Sequence, residues 1–365
     1  INVIPESIAP YLKYRGEYPG MSLSIDIGGG STDIAVFENE KEIPEFISSI
    51  KFAGNAIFGD GFPSSAFSNS TDNNGFVRTF KDDALKSLSK NSNKLEILSD
   101  IINKRKDSAD FSSFLFSLEN EKDINFNYTE KLRSNRILKL PILLFYGSVV
   151  YYSAYLLKKT NYKKLPNNLL FSGTAAKTLK IIDANKNFSN VTKFFTHILN
   201  SVLELNANGL KIVLAENPKE ITCKGVLKAG IISNITECPI MFWLGGNSDS
   251  IWGKAINDNA DISEIPYYSD VNDKNKTQIE DSLNHFFSLM DNYINSINID
   301  GEFGIDELVY KRFKEMRSEN IKDYIEQGIK AFYKKPEKHI EESLFFYPLI
   351  GILNKLSSEL SNNEN

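Results

Sequence analysis

Apolar and polar residues alternate in the first part of the chain, which is the two-residue period of a β-strand with one buried face. Ile25 and Ile27 show this alternation before a run of three glycines, and Ile34 and Val36 resume it after the run. The short connections favour antiparallel neighbours. The pattern predicts three antiparallel strands, over residues 23–27, 32–38 and 45–52.

Later in the chain apolar residues recur mainly every three or four positions, the spacing of an amphipathic helix. Buried strands predicted over residues 167–171 and 210–215 interrupt the helices, and a hairpin is predicted from strands over 239–244 and 250–256. Strands that alternate with helices indicate an α/β fold. The predicted helices cover residues 1–14, 84–88, 95–102, 111–118, 139–159, 194–205, 221–232, 276–297, 305–333 and 338–361.

One uncharged run is long enough to cross a membrane. Residues Leu140 to Leu157 form 18 positions without a charged side chain. The run nevertheless contains Pro141, Gly147 and four tyrosines, and a strand with a glycine turn follows it closely. We therefore predict a core helix and expect no membrane contact.

Composition narrows the classes of function. With 365 residues the chain is long enough for two or three domains. Its net charge of −5 gives no general attraction to nucleic acid or to an anionic membrane. The cysteines, Cys223 and Cys238, form neither a disulfide framework nor a metal site. Because the sequence opens on Ile1 without a signal peptide, we expect a piece of a longer cytoplasmic protein.

The glycine turn between the first two strands is the strongest candidate for a functional site. Gly28, Gly29 and Gly30 lack Cβ atoms, so a ligand can touch the backbone and successive N–H groups can form an anion-binding nest. Asp26 and Asp33 flank the turn, and Mg²⁺ prefers such oxygen ligands while it keeps most of its waters. The pattern indicates a phosphate site with hydrated Mg²⁺. The alternative is a glycine-rich hairpin with two solvated carboxylates.

The segment from Asp26 to Asp33 resembles the second phosphate-binding motif of the actin-like ATPases, a superfamily that includes actin, the heat-shock chaperone ATPase domain and sugar kinases. Downstream, the strand over 167–171 and the turn from Ser172 resemble the adenosine motif of that family. One glycine stands in this turn where many relatives have two. The alternative for this second motif is an ordinary turn between a strand and a helix, capped by Ser172 or Thr174.

Two further segments resemble the helices that connect the lobes of these ATPases. Residues 5–9 match the first, and Glu6 then occupies the position of the carboxylate that orients the attacking water. Alternatively, Glu6 only interacts with the dipole of its helix. Residues 224–230 match the second connecting helix, whose small residues pack at the hinge. Alternatively, Gly225 and Gly230 serve only the packing of two helices.

The resemblance implies a ribonuclease-H-like lobe, interrupted by an inserted outer subdomain and followed by a mainly helical C-terminal extension. In the insertion, Glu130, Lys131 and Arg133 would contact adenine or ribose, or would form a solvated helix end. The implied boundaries place the lobe at residues 1–60 and 137–234, the inserted subdomain at 61–136 and the extension at 235–365.

The implied ligands are ATP and Mg²⁺, held between this lobe and a second one. Each residue of the two turns then takes a role. These roles are catalysis for Glu6 and Asp26, phosphate binding for Gly28, Gly29, Gly30, Ser31 and Thr32, adenosine binding for Ser172, Gly173, Thr174 and Ala175, and binding of Mg²⁺ through water for Asp26 and Asp33.

The function implied is that of the ATP-binding lobe of an actin-like or chaperone-like ATPase, in which hydrolysis opens the lobes. No segment matches the first phosphate loop of the family, so the expected partner is a missing N-terminal lobe of the same chain. The fragment alone is expected to hydrolyse ATP inefficiently. One alternative is a non-catalytic actin-fold scaffold that binds a protein through residues 235–365. Another is a sugar or acetate kinase, although no acceptor pocket is recognisable.

Overall fold

A mixed β-sheet with helices on both faces forms the centre of the molecule. The computed structural model describes residues 8–38, 44–61, 74–104, 107–229, 242–244, 251–252, 254–256, 267–332, 340 and 343–360. This confirms the prediction of an α/β fold. The strands are β1 (Ser22–Ile27), β2 (Thr32–Phe37), β3 (Phe46–Ile50), β4 (Asn168–Ser172), β5 (Lys211–Leu214), β6 (Phe242–Leu244) and β7 (Lys254–Ile256).

Helices make up most of the remaining described chain. A short 3₁₀ turn (Ala175–Thr178) follows β4, and another comprises Tyr268–Asp270. The helices are α1 (Ala9–Tyr14), α2 (Gly54–Phe58), α3 (Gly75–Leu88), α4 (Ser92–Asn103), α5 (Ser108–Leu118), α6 (Tyr128–Ser134), α7 (Lys139–Lys159), α8 (Leu179–Ile182), α9 (Ser189–Leu203), α10 (Pro218–Ala229), α11 (Asp273–Asn295), α12 (Ile299–Phe303), α13 (Glu307–Phe332) and α14 (Phe346–Leu360).

The strand order in the sheet is β5-β4-β1-β2-β3-β6-β7. Strands β1, β2 and β3 are antiparallel neighbours, as the sequence pattern predicts. Strand β4 is parallel to β1, and β5 is parallel to β4. On the other side β6 pairs in parallel with β3, and β7 pairs antiparallel with β6, which confirms the predicted hairpin. Because parallel strands end at the same edge, Asp26 of β1 lies beside Ser172 of β4.

Helix boundaries differ from the prediction where a cap decides them. Helix α3 begins at Gly75 instead of Ala84, because the Asn74 side chain accepts hydrogen bonds from the N–H groups of Phe76 and Val77. Helix α7 has the predicted bounds. The helices predicted over 1–14 and 338–361 extend partly outside the described residues.

The two faces of the sheet have different partners. The larger core covers one face and contains Ile25 of β1 together with most of α7. The other face packs against α1, where the Tyr11 ring stacks on Phe37 with centroids 3.6 Å apart. Helix α10 lies against α1 at Gly225. A Cβ added there would stand 1.8 Å from the carbonyl oxygen of Ala9, so the absence of a side chain permits this close approach.

Helix α7 is the central core helix. Within the described residues it alone is long and apolar enough to cross a membrane, and 94% of its most apolar 18-residue window is buried inside the fold. It contacts α2, α8, α9, α11 and α14. This burial is what the prediction of a core helix requires.

The C-terminal helices pack on the same core. Helix α14 contacts α2, α3, α7 and α13, and helix α11 contacts α7, α9 and α13. The ring of Phe346 lies 4.7 Å from that of Phe52, which follows β3. His197 is partly buried and His285 is more exposed, and each ring has a hydrogen-bonding partner in this region. His285 Nδ1 is 2.8 Å from the Tyr151 hydroxyl, and His197 Nε2 is 3.1 Å from the Leu289 carbonyl oxygen.

Candidate functional site

In the first glycine turn the carbonyls of Gly28 and Gly29 are engaged inside the protein, whereas three successive N–H groups point to no described acceptor. The N–H of Gly28 donates to the Ser31 carbonyl at 2.9 Å, which closes the hairpin. The carbonyls of Gly28 and Gly29 accept from the N–H groups at the start of α2, at 3.1 and 2.8 Å. In contrast, the N–H groups of Gly29, Gly30 and Ser31 donate to no atom of the described residues. Since Gly29 and Gly30 are exposed, the turn presents consecutive free donors to an anion.

The second glycine turn lies directly against the end of β1. Gly173 has a φ of +85°, and a Cβ added to it would stand 2.2 Å from the Ile27 carbonyl oxygen and 2.6 Å from Oδ1 of Asp26. Both the left-handed conformation and the lack of space require glycine here. The second turn therefore lies within a few ångströms of the end of β1, where the first glycine turn begins. Thr174 at its tip is exposed.

Helix α2 joins the two turns on their inner side. Gly54 at its start donates its N–H to the carbonyl of Gly28, and a Cβ added at Gly54 would lie 3.0 Å from the Cβ of Ala175. The helix start thus contacts both turns at once. In the sequence Gly54 is 26 positions from Gly28 and 121 positions from Ala175, so the fold brings distant residues together.

A buried tyrosine holds the second turn in place. The Tyr146 hydroxyl of α7 lies 3.0 Å from the Ala176 carbonyl and 3.0 Å from Oγ1 of Thr178. Burial raises the pKa of Tyr146 strongly, so the hydroxyl keeps its proton. In the sequence Tyr146 is marked only by a hydroxyl within an uncharged helix, which needs a polar partner once it is buried.

Two carboxylates flank the first turn on the same face of the hairpin. Asp26 and Asp33 are directly opposite in the β1–β2 ladder, and side chains opposite each other in antiparallel strands lie side by side. Asp26 is 5% exposed, and its Oδ2 accepts the Ser172 hydroxyl at 2.8 Å. Asp33 is partly exposed, and the Ser31 hydroxyl lies 3.5 Å from its Oδ2.

The donor set fits a hydrated magnesium ion better than a fully protein-bound metal. The described residues contain no cluster of three or more His, Cys, Asp or Glu side chains that could hold a metal by themselves. Two carboxylates beside free N–H donors suit Mg²⁺, which keeps several waters and shares its remaining positions with phosphate oxygens. The residues present therefore fit the ion that the sequence predicts at Asp26 and Asp33.

Two predicted binding residues have side chains that are already engaged inside the protein. Thr32 is buried, and its hydroxyl donates to the Phe52 carbonyl at 2.6 Å, which ties β2 to the segment after β3. Ser172 is buried as well and donates to Asp26, so it orients that carboxylate. The exposed surface of the site thus consists mainly of backbone from the two turns.

Other predicted residues lie apart from this centre. Glu6 lies outside the described residues. In α6 the Lys131 ammonium lies 2.6 Å from Asp83. Arg133 pairs with Glu130 and also donates from Nε to the Lys180 carbonyl at 3.2 Å. Helix α6 is therefore tied to α8, the helix that follows the second turn. A contact of its charged residues with adenine stays a prediction.

Comparison with known proteins adds no assignment. No protein-family model matches the chain, and no curated protein matches it significantly. The two turns and the two carboxylates are therefore the features of the chain that indicate a function.

Proposed function

We propose that the chain forms the ATP-binding lobe of an actin-like or chaperone-like ATPase of the cytoplasm. The observation that carries this proposal is the contact of the two glycine turns beside Asp26. Free N–H donors, a pair of carboxylates and a glycine-lined turn lie at one edge of the sheet. These are the groups needed for phosphate, for Mg²⁺ and for the flat face of a nucleoside.

The strand arrangement supports a ribonuclease-H-like lobe. An antiparallel meander β1-β2-β3 is followed by β4 parallel to β1 and β5 parallel to β4, which gives the order β5-β4-β1-β2-β3 within the larger sheet. Ligands in α/β sheets bind at the carboxyl ends of parallel strands. The two turns follow the carboxyl ends of β1 and β4, the position where a nucleotide would bind.

In the proposed complex each group has a distinct task. The N–H groups of Gly29, Gly30 and Ser31 bind phosphate oxygens, and Asp26 and Asp33 hold metal-bound water. Mg²⁺, when bound, neutralises phosphate charge. The Ser172 hydroxyl keeps Asp26 oriented toward the turn. Glu6, which would direct the attacking water, lies outside the described residues and keeps the role that the resemblance implies.

The candidate site is exposed on one side, which supports a parent protein that has two lobes. Its donors lie on an exposed surface, and phosphoryl transfer requires positioning from several sides. We propose that a second lobe of the same polypeptide supplies the opposing wall, and that this chain alone hydrolyses ATP slowly.

The scaffold alternative receives no specific support from the described C-terminal helices. Their apolar side chains are part of the common core, and their exposed large apolar side chain is Leu308. We therefore carry a single function forward.

Nuclear magnetic resonance titration of the chain with Mg-ATP tests the proposal. The amide signals of Gly29, Gly30 and Gly173 should shift together with increasing Mg-ATP, and chelation of Mg²⁺ should weaken the effect. The variant Asp26→Asn tests the carboxylate and should bind Mg-ATP more weakly. Lys86→Ala, an exposed residue of α3, is the matched control and should bind as the parent chain does. Signals that stay unchanged at millimolar Mg-ATP would refute an ATP site at these turns.

A further inference from the structure

Strand β5 forms one edge of the sheet in the described part of the chain. The N–H of Lys211 donates to Asn167 at 2.9 Å, and the N–H of Ala215 donates to Phe171 at 2.8 Å, so these alternate residues face β4. The intervening residues Ile212 and Leu214 therefore direct their N–H and C=O groups away from β4. Such an edge is a template for an added strand.

An open groove of about 680 Å³ follows this edge. On the α1 side of the sheet its wall contains Tyr18 and Lys211. On the α9 side its wall contains Phe188 and Thr192, with Ile212 as part of the floor. The groove thus has a different chemistry on each face of the sheet.

The α1 side of the groove is cationic. Lys211 is exposed, and its Nζ lies 4.5 Å from the centroid of the Tyr18 ring, which holds the ammonium group beside the edge. Lys186, in the loop between α8 and α9, is exposed and adds a second cation to the same groove near Phe188. Neither ammonium forms an ion pair with a described residue. An acidic side chain on an added strand would find a cation here.

The α9 side of the groove has an apolar floor and a polar rim. Leu214 is partly exposed on the floor, and Phe188 and Ile212 beside it are buried in the larger core. Ser189 and Thr192 add hydroxyl groups to the rim. Side chains of an added strand alternate between the two faces. Its apolar residues would therefore cover Leu214 while its acidic residues lie next to Lys211.

The positive charge of the two lysines favours an acidic segment of another protein over a second copy of this chain. A second copy of this chain that paired through the same edge would add two more lysines to a surface that already carries Lys211 and Lys186. Gathering like charges along one interface opposes association. A strand of opposite charge gains where a second copy loses.

We propose that the β5 edge binds an extended segment of another protein in which acidic residues alternate with apolar ones. Main-chain hydrogen bonds to Ile212 and Leu214 would supply affinity, and the two faces of the groove would supply specificity. The site lies along the opposite edge of the sheet from β6 and β7 and uses none of the residues of the two glycine turns.

A labelled peptide in which Glu and Val alternate is the probe, and its binding to the chain is measured by fluorescence anisotropy. We expect binding that a peptide with Lys in place of Glu does not show. Two N-methylated forms of the Glu-Val peptide serve as matched controls. One carries methyl groups on every second amide, and the other carries them on the remaining amides. Since only one set of amides faces β5, one form should bind and the other should not.

Variants of the chain locate the site. Lys211→Glu should weaken binding about tenfold or more, because an attractive pair becomes a repulsive one. Lys86→Glu, exposed on α3, introduces the same charge change elsewhere and should bind as the parent chain does. Both variants should keep the parent melting temperature, since both side chains are exposed. Hydrogen exchange at the Ile212 and Leu214 amides should slow only when the peptide is present.

Several results would overturn the proposal. These are absence of binding at millimolar peptide, equal binding by both N-methylated forms, and equal binding by Lys211→Glu and the parent chain. Slow exchange at Ile212 and Leu214 without peptide would show that the edge is already covered. Sedimentation then distinguishes a second copy from the chain's own remaining residues.

Discussion

Replacing Gly173 by alanine adds one methyl group where the second glycine turn meets the end of β1. The new Cβ would stand 2.2 Å from the carbonyl oxygen of Ile27 and 2.6 Å from Oδ1 of Asp26. Both distances are far below van der Waals contact, so the turn or the strand must move. A φ of +85° adds about 1–2 kcal/mol for a residue with a Cβ.

Gly16 provides a matched control for the backbone conformation. Its φ is +83°, and a Cβ added there meets no atom of the described residues within 4 Å. Gly16→Ala therefore carries the conformational penalty without the overlap. It should lose about 1 kcal/mol of unfolding free energy, because the restricted unfolded chain offsets part of the strain. Gly173→Ala should lose about 1–3 kcal/mol more, the usual range for overpacking.

Urea unfolding followed by circular dichroism measures both variants, and a Mg-ATP titration follows on the folded proteins. In Gly173→Ala the amide signals of Gly29 and Gly30 should no longer shift with Mg-ATP, because movement of the turn displaces Asp26. Gly16→Ala should keep it. An equal loss of unfolding free energy in the two variants would show that the close contact between Gly173 and β1 does not contribute to stability.

Four further predictions concern the site and the core. Asp26→Asn should weaken Mg-ATP binding in calorimetry about tenfold or more, since a charged partner is lost, while the urea midpoint changes little. Tyr146→Phe should lose about 1–2 kcal/mol in urea unfolding, because the buried hydrogen bonds of its hydroxyl with the Ala176 carbonyl and with Thr178 are lost. Gly225→Ala should lose about 2 kcal/mol or more, since α10 must move away from α1. Burial lowers the pKa of His197 and His285, so the unfolded chain binds protons more readily and stability should fall as pH drops below about 6.5; a urea midpoint series against pH measures this.

Each of these predictions has a distinct opposing result. If the Asp26→Asn protein binds Mg-ATP as the parent chain does, the Asp26 carboxylate takes no part in binding. A Tyr146→Phe protein of parent stability would show that the second turn does not depend on α7. A Gly225→Ala protein of parent stability would contradict the close helix contact. For the histidines, the double variant His197→Gln/His285→Gln should show a flatter pH profile, and an unchanged profile would assign the acid sensitivity to other groups.

Local patterns were sufficient for the first hairpin and for helix α7. The alternation around Ile25 and the position of three glycines depend only on neighbours in sequence, and the structure has the predicted strands there. The bounds of α7 are those predicted, because an uncharged run between lysines marks its own ends. The start of α3 was missed, since one asparagine side chain decides it.

The assembly of the site depends on contacts that no local pattern encodes. The contact of Gly173 with Ile27, and that of Gly54 with Ala175, join residues more than a hundred positions apart. The role of Tyr146 depends on which face of a fully buried helix meets the second turn. The parallel pairing of β6 with β3 is likewise a long-range choice between sheet edges. The sequence motifs identify candidate residues for the site, whereas only the fold shows that these residues lie close together.

The pairing of β6 with β3 has a consequence for synthesis of the protein. About 190 residues separate the end of β3 from the start of β6. At about 5–20 residues per second, a ribosome needs roughly 10–40 s to make that length. Throughout this interval the β3 edge and the surfaces that α14 later covers are present in the nascent chain without their partners. Unpaired strand edges and uncovered apolar surfaces favour aggregation, so this interval is the period in which we expect the nascent chain to be most prone to aggregate. Helix α14 then completes a core that begins with β1.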